Sequence, residues 1–166
     1  MAERAHAFGM RVTAIRRKIS EPKPAFVERI TGPEHLDEAL RGCDVLVIAA
    51  PSIAETDRLI GSERLAMLNH GAIVINVARG KIVDEAALIA ALQKGHLGGA
   101  VLDVFELEPL DPHSPFGTLP NVIISPHVSG VRPDHWDDVI DLFSENLQRF
   151  ERGEPLLNLV DAHAGY

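Results

Sequence analysis

Short apolar runs that end in polar loops recur along this chain and alternate with stretches of helical periodicity. Asp44 to Ala50 (DVLVIAA) and Ala72 to Val77 (AIVINV) are nearly continuous in apolar residues. Runs of that length without alternation predict strands buried on both faces. Val12 to Ile15, Ala100 to Val104 and Val122 to Ile124 read as three more strands. Residues 2–8 resemble the tail of a helix closed by Gly9, and Pro33 to Arg41 a short helix closed by Gly42. Ser62 is placed to cap a helix through Leu68, and Asp84 to start an Ala- and Leu-rich helix ending at Lys94-Gly95. Residues 17–30, with Pro22 and Pro24, read as a loop, as does the stretch holding Pro109, Pro112, Pro115 and Pro120. A last, long helix opens near Pro133 and stops at Gly153, with Trp136, Ile140, Phe143, Leu147 and Phe150 on one face, a stripe suited to a core or an interface.

Strands alternating with helices predict an α/β fold with a doubly wound, Rossmann-type parallel sheet. Its start departs from the expected pattern. A dinucleotide fold opens with a strand, a glycine-rich turn and a helix. Here a helix end comes first and no G-x-G-x-x-G precedes it. The chain length of 166 residues suits one domain with a sizeable core, and 46% hydrophobic residues suits a soluble one. A formal net charge of −8 argues against a nucleic-acid surface, Arg16-Arg17-Lys18 being too short a basic run for a polyanion groove. No apolar run is long enough to span a bilayer. A single cysteine, Cys43, excludes an internal disulfide and, without a signal core at the N-terminus, points to a reducing, cytoplasmic setting. Cys43 itself reads as inert packing at a helix-to-strand joint. The histidines show no paired ligand spacing, so no metal site is expected.

Three strands run into loops with complementary chemistry. Ile75-Asn76-Val77-Ala78-Arg79-Gly80 supplies an arginine, Leu102-Asp103-Val104-Phe105-Glu106-Leu107-Glu108-Pro109 a glutamate, and Ile124-Ser125-Pro126-His127 a histidine. Ligands in open α/β sheets bind outside the carboxyl ends of strands. An arginine can clamp a carboxylate, a histidine can move a proton, and a glutamate can orient and charge that histidine. Taken singly, each has an ordinary reading: a solvated arginine, a turn histidine, a loop carboxylate. Glu106 competes with Glu108 for the place beside the histidine.

These motifs resemble the nucleotide-binding domain of the D-isomer 2-hydroxyacid dehydrogenases, a family that includes phosphoglycerate, glyoxylate and hydroxypyruvate reductases. The likeness rests on Ala50-Pro51 to Glu55-Thr56, Asn76 to Gly80 with Val83-Asp84-Glu85, Asp103-Val104-Phe105 to Glu108-Pro109, Ser125-Pro126-His127, and the closing Gly153-Glu154-Pro155-Leu156-Leu157-Asn158 to Val160-Asp161. Val128-Ser129-Gly130 and Trp136 are most similar to the glyoxylate/hydroxypyruvate reductase branch. The resemblance implies hydride transfer between NAD(P)H and a small 2-keto or 2-hydroxy acid. It gives Arg79 the substrate carboxylate and carbonyl, His127 the acid/base role, and Glu108, through the Glu-Pro end of its motif, the place beside His127. It also gives Asp103 the nicotinamide carboxamide, and Pro51, Thr56, Val77 and Ala78, with Arg79 and His127, the cofactor's surroundings.

The strand Arg11 to Ile15 is expected to end beside the adenosine ribose, where NAD enzymes place an acidic residue. This chain has Arg16 and Arg17 there. Two cations suit a 2′-phosphate, so NADP(H) is the expected preference, with NAD(H) possible if both arginines are solvated.

The resemblance further implies a homodimer and a longer protein, with residues 1–153 as a partial dinucleotide-binding domain and 154–166 as a tail returning to a substrate domain. A first strand and its glycine loop are expected before residue 1, so that strands 12–15 and 72–77 lack a shared neighbour. Two other readings stay open on the sequence: a catalytically inactive fragment, and a dinucleotide-sensing binding protein similar to the C-terminal-binding-protein corepressors.

Overall fold

The computed structural model describes residues 1–161. Six short strands form two parallel groups. Strand β1 (Thr13–Ile15) pairs with β2 (Arg29–Thr31), and β3 (Val45–Ile48), β4 (Ala72–Asn76), β5 (Leu97–Leu102) and β6 (Val122–Ile124) follow one another in a four-stranded sheet. Every pairing is parallel. The helices are α1 (Ala2–Ala7), α2 (Leu36–Leu40), α3 (Ser62–Met67), α4 (Glu85–Gln93) and α5 (His135–Arg152). The α/β class and the parallel, Rossmann-like layout agree with the periodicity.

The core lies between the four-stranded sheet and helices α2 to α4. Val74 in the central strand, Leu65 of α3, and Leu88 and Leu92 of α4 are buried together with Ile82, Leu97 and Phe116. Helix α4 begins as the sequence indicates. The Asp84 carboxylate accepts from the Ala87 N–H at 3.0 Å, satisfying one of the free donors at a helix start. Gly95, at φ +71°, closes it.

Several expectations are corrected. Arg29–Thr31 lies inside the stretch read as a loop; a strand of three residues carries almost no periodic signal, and its pairing with β1 supplies the order. Strand β3 is an edge strand, with Val47 37% exposed, and is not buried on both faces. Strand β4 is paired on both sides, by β3 and β5, so it lacks no neighbour; among the described residues β1, β2, β3 and β6 each have one edge unpaired. Strand β5 starts at Leu97 rather than Ala100, running through Gly98 and Gly99. A Cβ at Gly98 would lie 2.4 Å from the Gly71 oxygen, and one at Gly99 2.8 Å from the Asn121 oxygen, so both glycines serve close packing within a strand. Ser62 does not cap α3. Ile60 is held by Val83 in an isolated parallel bridge, and the chain turns into the helix at Gly61. The stripe on α5 is not core: Trp136 is 70%, Phe143 66% and Phe150 73% exposed, and α5 buries no residue.

Beyond Gly153 the chain folds back along α5. Asn146 accepts from Leu157 N–H at 2.7 Å and donates to the Leu157 carbonyl at 3.2 Å. The tail expected over 154–166 is thus described as far as Asp161; residues 162–166 lie outside the described residues. No helix among the described residues is long and apolar enough to cross a membrane.

Candidate active site

The carboxyl ends of β4, β5 and β6 lie side by side in the sheet, and the three polar loops follow directly from them. A cleft of about 250 Å³ opens between these loops, with Ser52, Arg79, Lys81, Glu106, Glu108 and His127 in its lining.

Arg79 sits on a turn braced from below. Asn76 is 1% exposed at the last position of β4. Its side chain accepts from Ala78 N–H at 3.1 Å and donates to the Arg79 carbonyl at 3.0 Å. One side-chain amide therefore fixes both ends of the turn. The Arg79 guanidinium donates to its neighbour's carbonyl, Ala78 O, at 2.7 Å and is otherwise open to the cleft.

It is Glu108, not Glu106, that reaches His127. His127 Nδ1 and Glu108 Oε2 are 2.7 Å apart. The other oxygen, Oε1, accepts from Phe105 N–H at 2.9 Å. The bond with His127, the Phe105 N–H and the nearby Arg79 charge outweigh desolvation, and the Glu108 carboxyl is held below its ordinary range. Glu106 instead lies 3.7 Å from the Arg58 guanidinium.

Asp103 anchors the histidine loop. It is 2% exposed. Its Oδ1 accepts from the Ser125 hydroxyl and from Val128 N–H at 2.9 Å, and its Oδ2 from Ser129 N–H at 2.9 Å. Burial alone would raise its pKa, but these bonds prevail and hold the carboxyl well below the usual aspartate range. Between the anchored residues stands His127, at φ +54°, a left-handed conformation costing a non-glycine residue about 1–3 kcal/mol. The bonds from both sides of it to one buried carboxylate keep the imidazole in that pose.

The other residues assigned to the cofactor are spread over three strand ends, those of β1, β3 and β4. Arg16 and Arg17 follow β1. Arg16 turns into its own loop, donating to the Glu21 and Pro22 carbonyls and pairing with the Glu21 carboxylate at 3.5 Å, while its Nε is buried without a hydrogen-bond partner. Arg17 reaches across to Glu55 at 3.8 Å. Thr56 ties the loop after β3 together, donating to Pro51 O at 2.7 Å and accepting from Ile53 N–H at 2.9 Å. Val77 is half-buried and Ala78 buried in the turn below Arg79.

The family model for the "D-isomer specific 2-hydroxyacid dehydrogenase, NAD binding domain" matches residues 1–129. The chain belongs to this family. It is 38% identical over 164 residues to a glyoxylate reductase of Korarchaeum cryptofilum, covering 97% of this chain and 48% of that protein. It is 43% identical over 141 residues to a glyoxylate/hydroxypyruvate reductase A of Salmonella newport, covering 84% and 44%. Among solved structures, a D-isomer specific 2-hydroxyacid dehydrogenase from Xanthobacter autotrophicus Py2, in complex with NADPH and MES, superposes with a TM-score of 0.86 at 42% identity, over 97% of this chain and 50% of that one. An NADPH-dependent glyoxylate/hydroxypyruvate reductase from Sinorhizobium meliloti, in complex with NADP and sulfate, gives 0.89 at 34% identity, over 99% and 52%. The chain spans about half the length of the curated relatives it matches.

Some residues of this cleft lie outside the sequence reading. Ser52 and Lys81 also line the cleft; each is next to a motif residue, Pro51 and Gly80. Asn76 and Ser125 were quoted within motifs, but their bracing bonds depend on loop geometry that spacing does not reveal.

Proposed function

We propose that this chain is the nucleotide-binding part of an oxidoreductase that moves a hydride between NADP(H) and a small 2-keto or 2-hydroxy acid of the glyoxylate or hydroxypyruvate kind. The observation that carries this reading is the 2.7 Å contact of His127 Nδ1 with Glu108 in a cleft that also presents Arg79. With Nδ1 turned to Glu108, Nε2 is left to face a substrate. Reduction of a 2-keto acid needs a hydride at C2, supplied by the reduced nicotinamide when bound, and a proton at the carbonyl oxygen. His127 gives that proton from Nε2, and Glu108, held ionised, orients the ring throughout. Arg79 binds the substrate carboxylate and favours negative charge growing on the carbonyl oxygen. The reverse direction returns the proton to His127.

For the dinucleotide, Arg16 and Arg17 would hold the adenosine end, and Pro51, Thr56, Val77, Ala78 and Asp103 its course toward the triad. The fit is chemical: two cations and no carboxylate stand directly after β1, and the buried Arg16 Nε has no hydrogen-bond partner. That donor set suits a 2′-phosphate and supports NADP(H), NAD(H) remaining usable. The exposed apolar face of α5 supports self-association into a homodimer, and the lone cysteine supports a cytoplasmic setting.

Steady-state oxidation of NADPH and NADH with glyoxylate or hydroxypyruvate tests the reading. Turnover should favour NADPH, and R17D should shift the preference toward NADH by about tenfold or more, since losing charge-assisted bonds to a phosphate costs about 1.5–3 kcal/mol. An unchanged cofactor preference in both R16D and R17D would sink the cofactor assignment.

A further inference from the structure

The loop that carries Glu108 is held from behind by a residue the mechanism does not use. Glu85 occupies the first turn of α4, next to the capping Asp84. Its Oε1 accepts from Glu106 N–H at 2.7 Å. One residue earlier, Phe105 N–H is given to Glu108 Oε1 at 2.9 Å. Two successive backbone donors therefore go to two carboxylates, one on the helix behind the loop and one on the residue that meets His127. The loop also lies directly on Gly80: a Cβ there would fall 1.9 Å from the Phe105 carbonyl carbon and 2.3 Å from Glu106 N. Phe105 is buried against Phe116, ring centroids 5.9 Å apart, which fixes the loop's other side.

Glu85 keeps this place at a cost. Desolvation, and then the like charge of Glu106, push its carboxyl above the ordinary glutamate range, the Glu106 N–H opposing them. An acid at a helix start has some value of its own beside the helix dipole. Helix charge alone, however, does not require its oxygen to sit at bonding distance from the Glu106 N–H.

We propose that Glu85 is a positioning residue for the Glu108–His127 pair: by anchoring Glu106 N–H it fixes the peptide that follows Phe105, and through the Phe105 Cα the adjoining peptide whose N–H goes to Glu108. This rests on the pairing of Glu108 with His127 read above as the working site. The groups that face Glu108 are His127 and Arg79, and the charged groups near Glu85 are Glu106 and, through it, Arg58.

The test is a carbon-detected NMR titration of the Glu108 side-chain carboxyl in the full chain, with E85A, E85D, E85Q and H127A. E85D keeps the charge at the helix start but withdraws the oxygen by one methylene; E85Q keeps the acceptor and loses the charge. E85A and E85D should both raise the Glu108 midpoint toward the ordinary value of about 4.3, and E85Q should leave it as in the wild type. With keto acid and NADPH, E85A and E85D should lower kcat about tenfold with KM nearly unchanged, and E85Q should restore it. If E85A does not fold, E85D against E85Q carries the comparison. A Glu108 midpoint unmoved by E85D but raised by H127A would overturn the role of Glu85 alone. A midpoint unmoved by H127A would overturn the pairing itself, and the proposal with it.

Discussion

Asp103 shows how one residue can set the pose of another. Its buried carboxylate takes bonds from both sides of His127, and His127 holds a left-handed backbone between them. In D103N the variant side chain offers at most one acceptor oxygen and directs an amide at a backbone N–H. That change should cost about 3 kcal/mol of stability at pH 7, as for a buried charged acceptor. The folded pKa of Asp103 is depressed, so its contribution is complete above the unfolded value of about 3.9 and is lost as pH falls through the folded value. Urea unfolding of wild type and D103N should thus differ at neutral pH, with the gap starting to narrow as pH falls below about 4; an equal gap at all pH values would contradict this. At this scale the sequence is legible where a motif carries the residue. Arg79, Glu108 and His127 are found by their loops, and the choice of Glu108 over Glu106 agrees with the 2.7 Å contact. The resemblance turns Asp103 toward a cofactor, while its carboxylate is engaged by the histidine loop. Ser52, Lys81 and Glu85 gain their places from chain segments far away in sequence, which spacing cannot report.

The elements that the sequence reveals are those with their own signal. Helix α4 has a cap, a run of helix formers and a closing glycine, and it forms as read, within a residue at its ends. Strand β2 has three residues and no alternation, and only pairing with β1 makes it a strand. The start of β5 was hidden because Gly98-Gly99 looks like a turn, whereas both glycines admit a neighbouring backbone. Helix α5 has the strongest amphipathic pattern in the chain, yet its apolar face is open. Periodicity states that a face wants cover and says nothing of what covers it. If a second copy does, sedimentation velocity should show the chain associating at micromolar concentration, and F143E, a charge in the middle of the stripe, should shift it to the monomer. A wild-type chain that sediments as a monomer throughout would remove the dimer from the account.

At the scale of the whole molecule, the parallel sheet matters because it places three strand ends in a row. Arg79 follows β4, Glu108 follows β5 and His127 follows β6, so the sheet spacing sets the spacing of the three groups. Loops then tune each group: Asn76 braces the first, Phe105 N–H and Glu85 the second, and Asp103 the third. If this row is a reductase site, His127 is its proton donor. The most direct measurement is kcat/KM for NADPH-dependent reduction of glyoxylate or hydroxypyruvate by the wild type and H127Q, with NADPH affinity measured in parallel. Turnover is expected in the wild type, with a loss of about 10²–10⁴-fold in H127Q and NADPH binding retained, the range for removing a general acid. H127Q turning over both keto acids at the wild-type rate would contradict it.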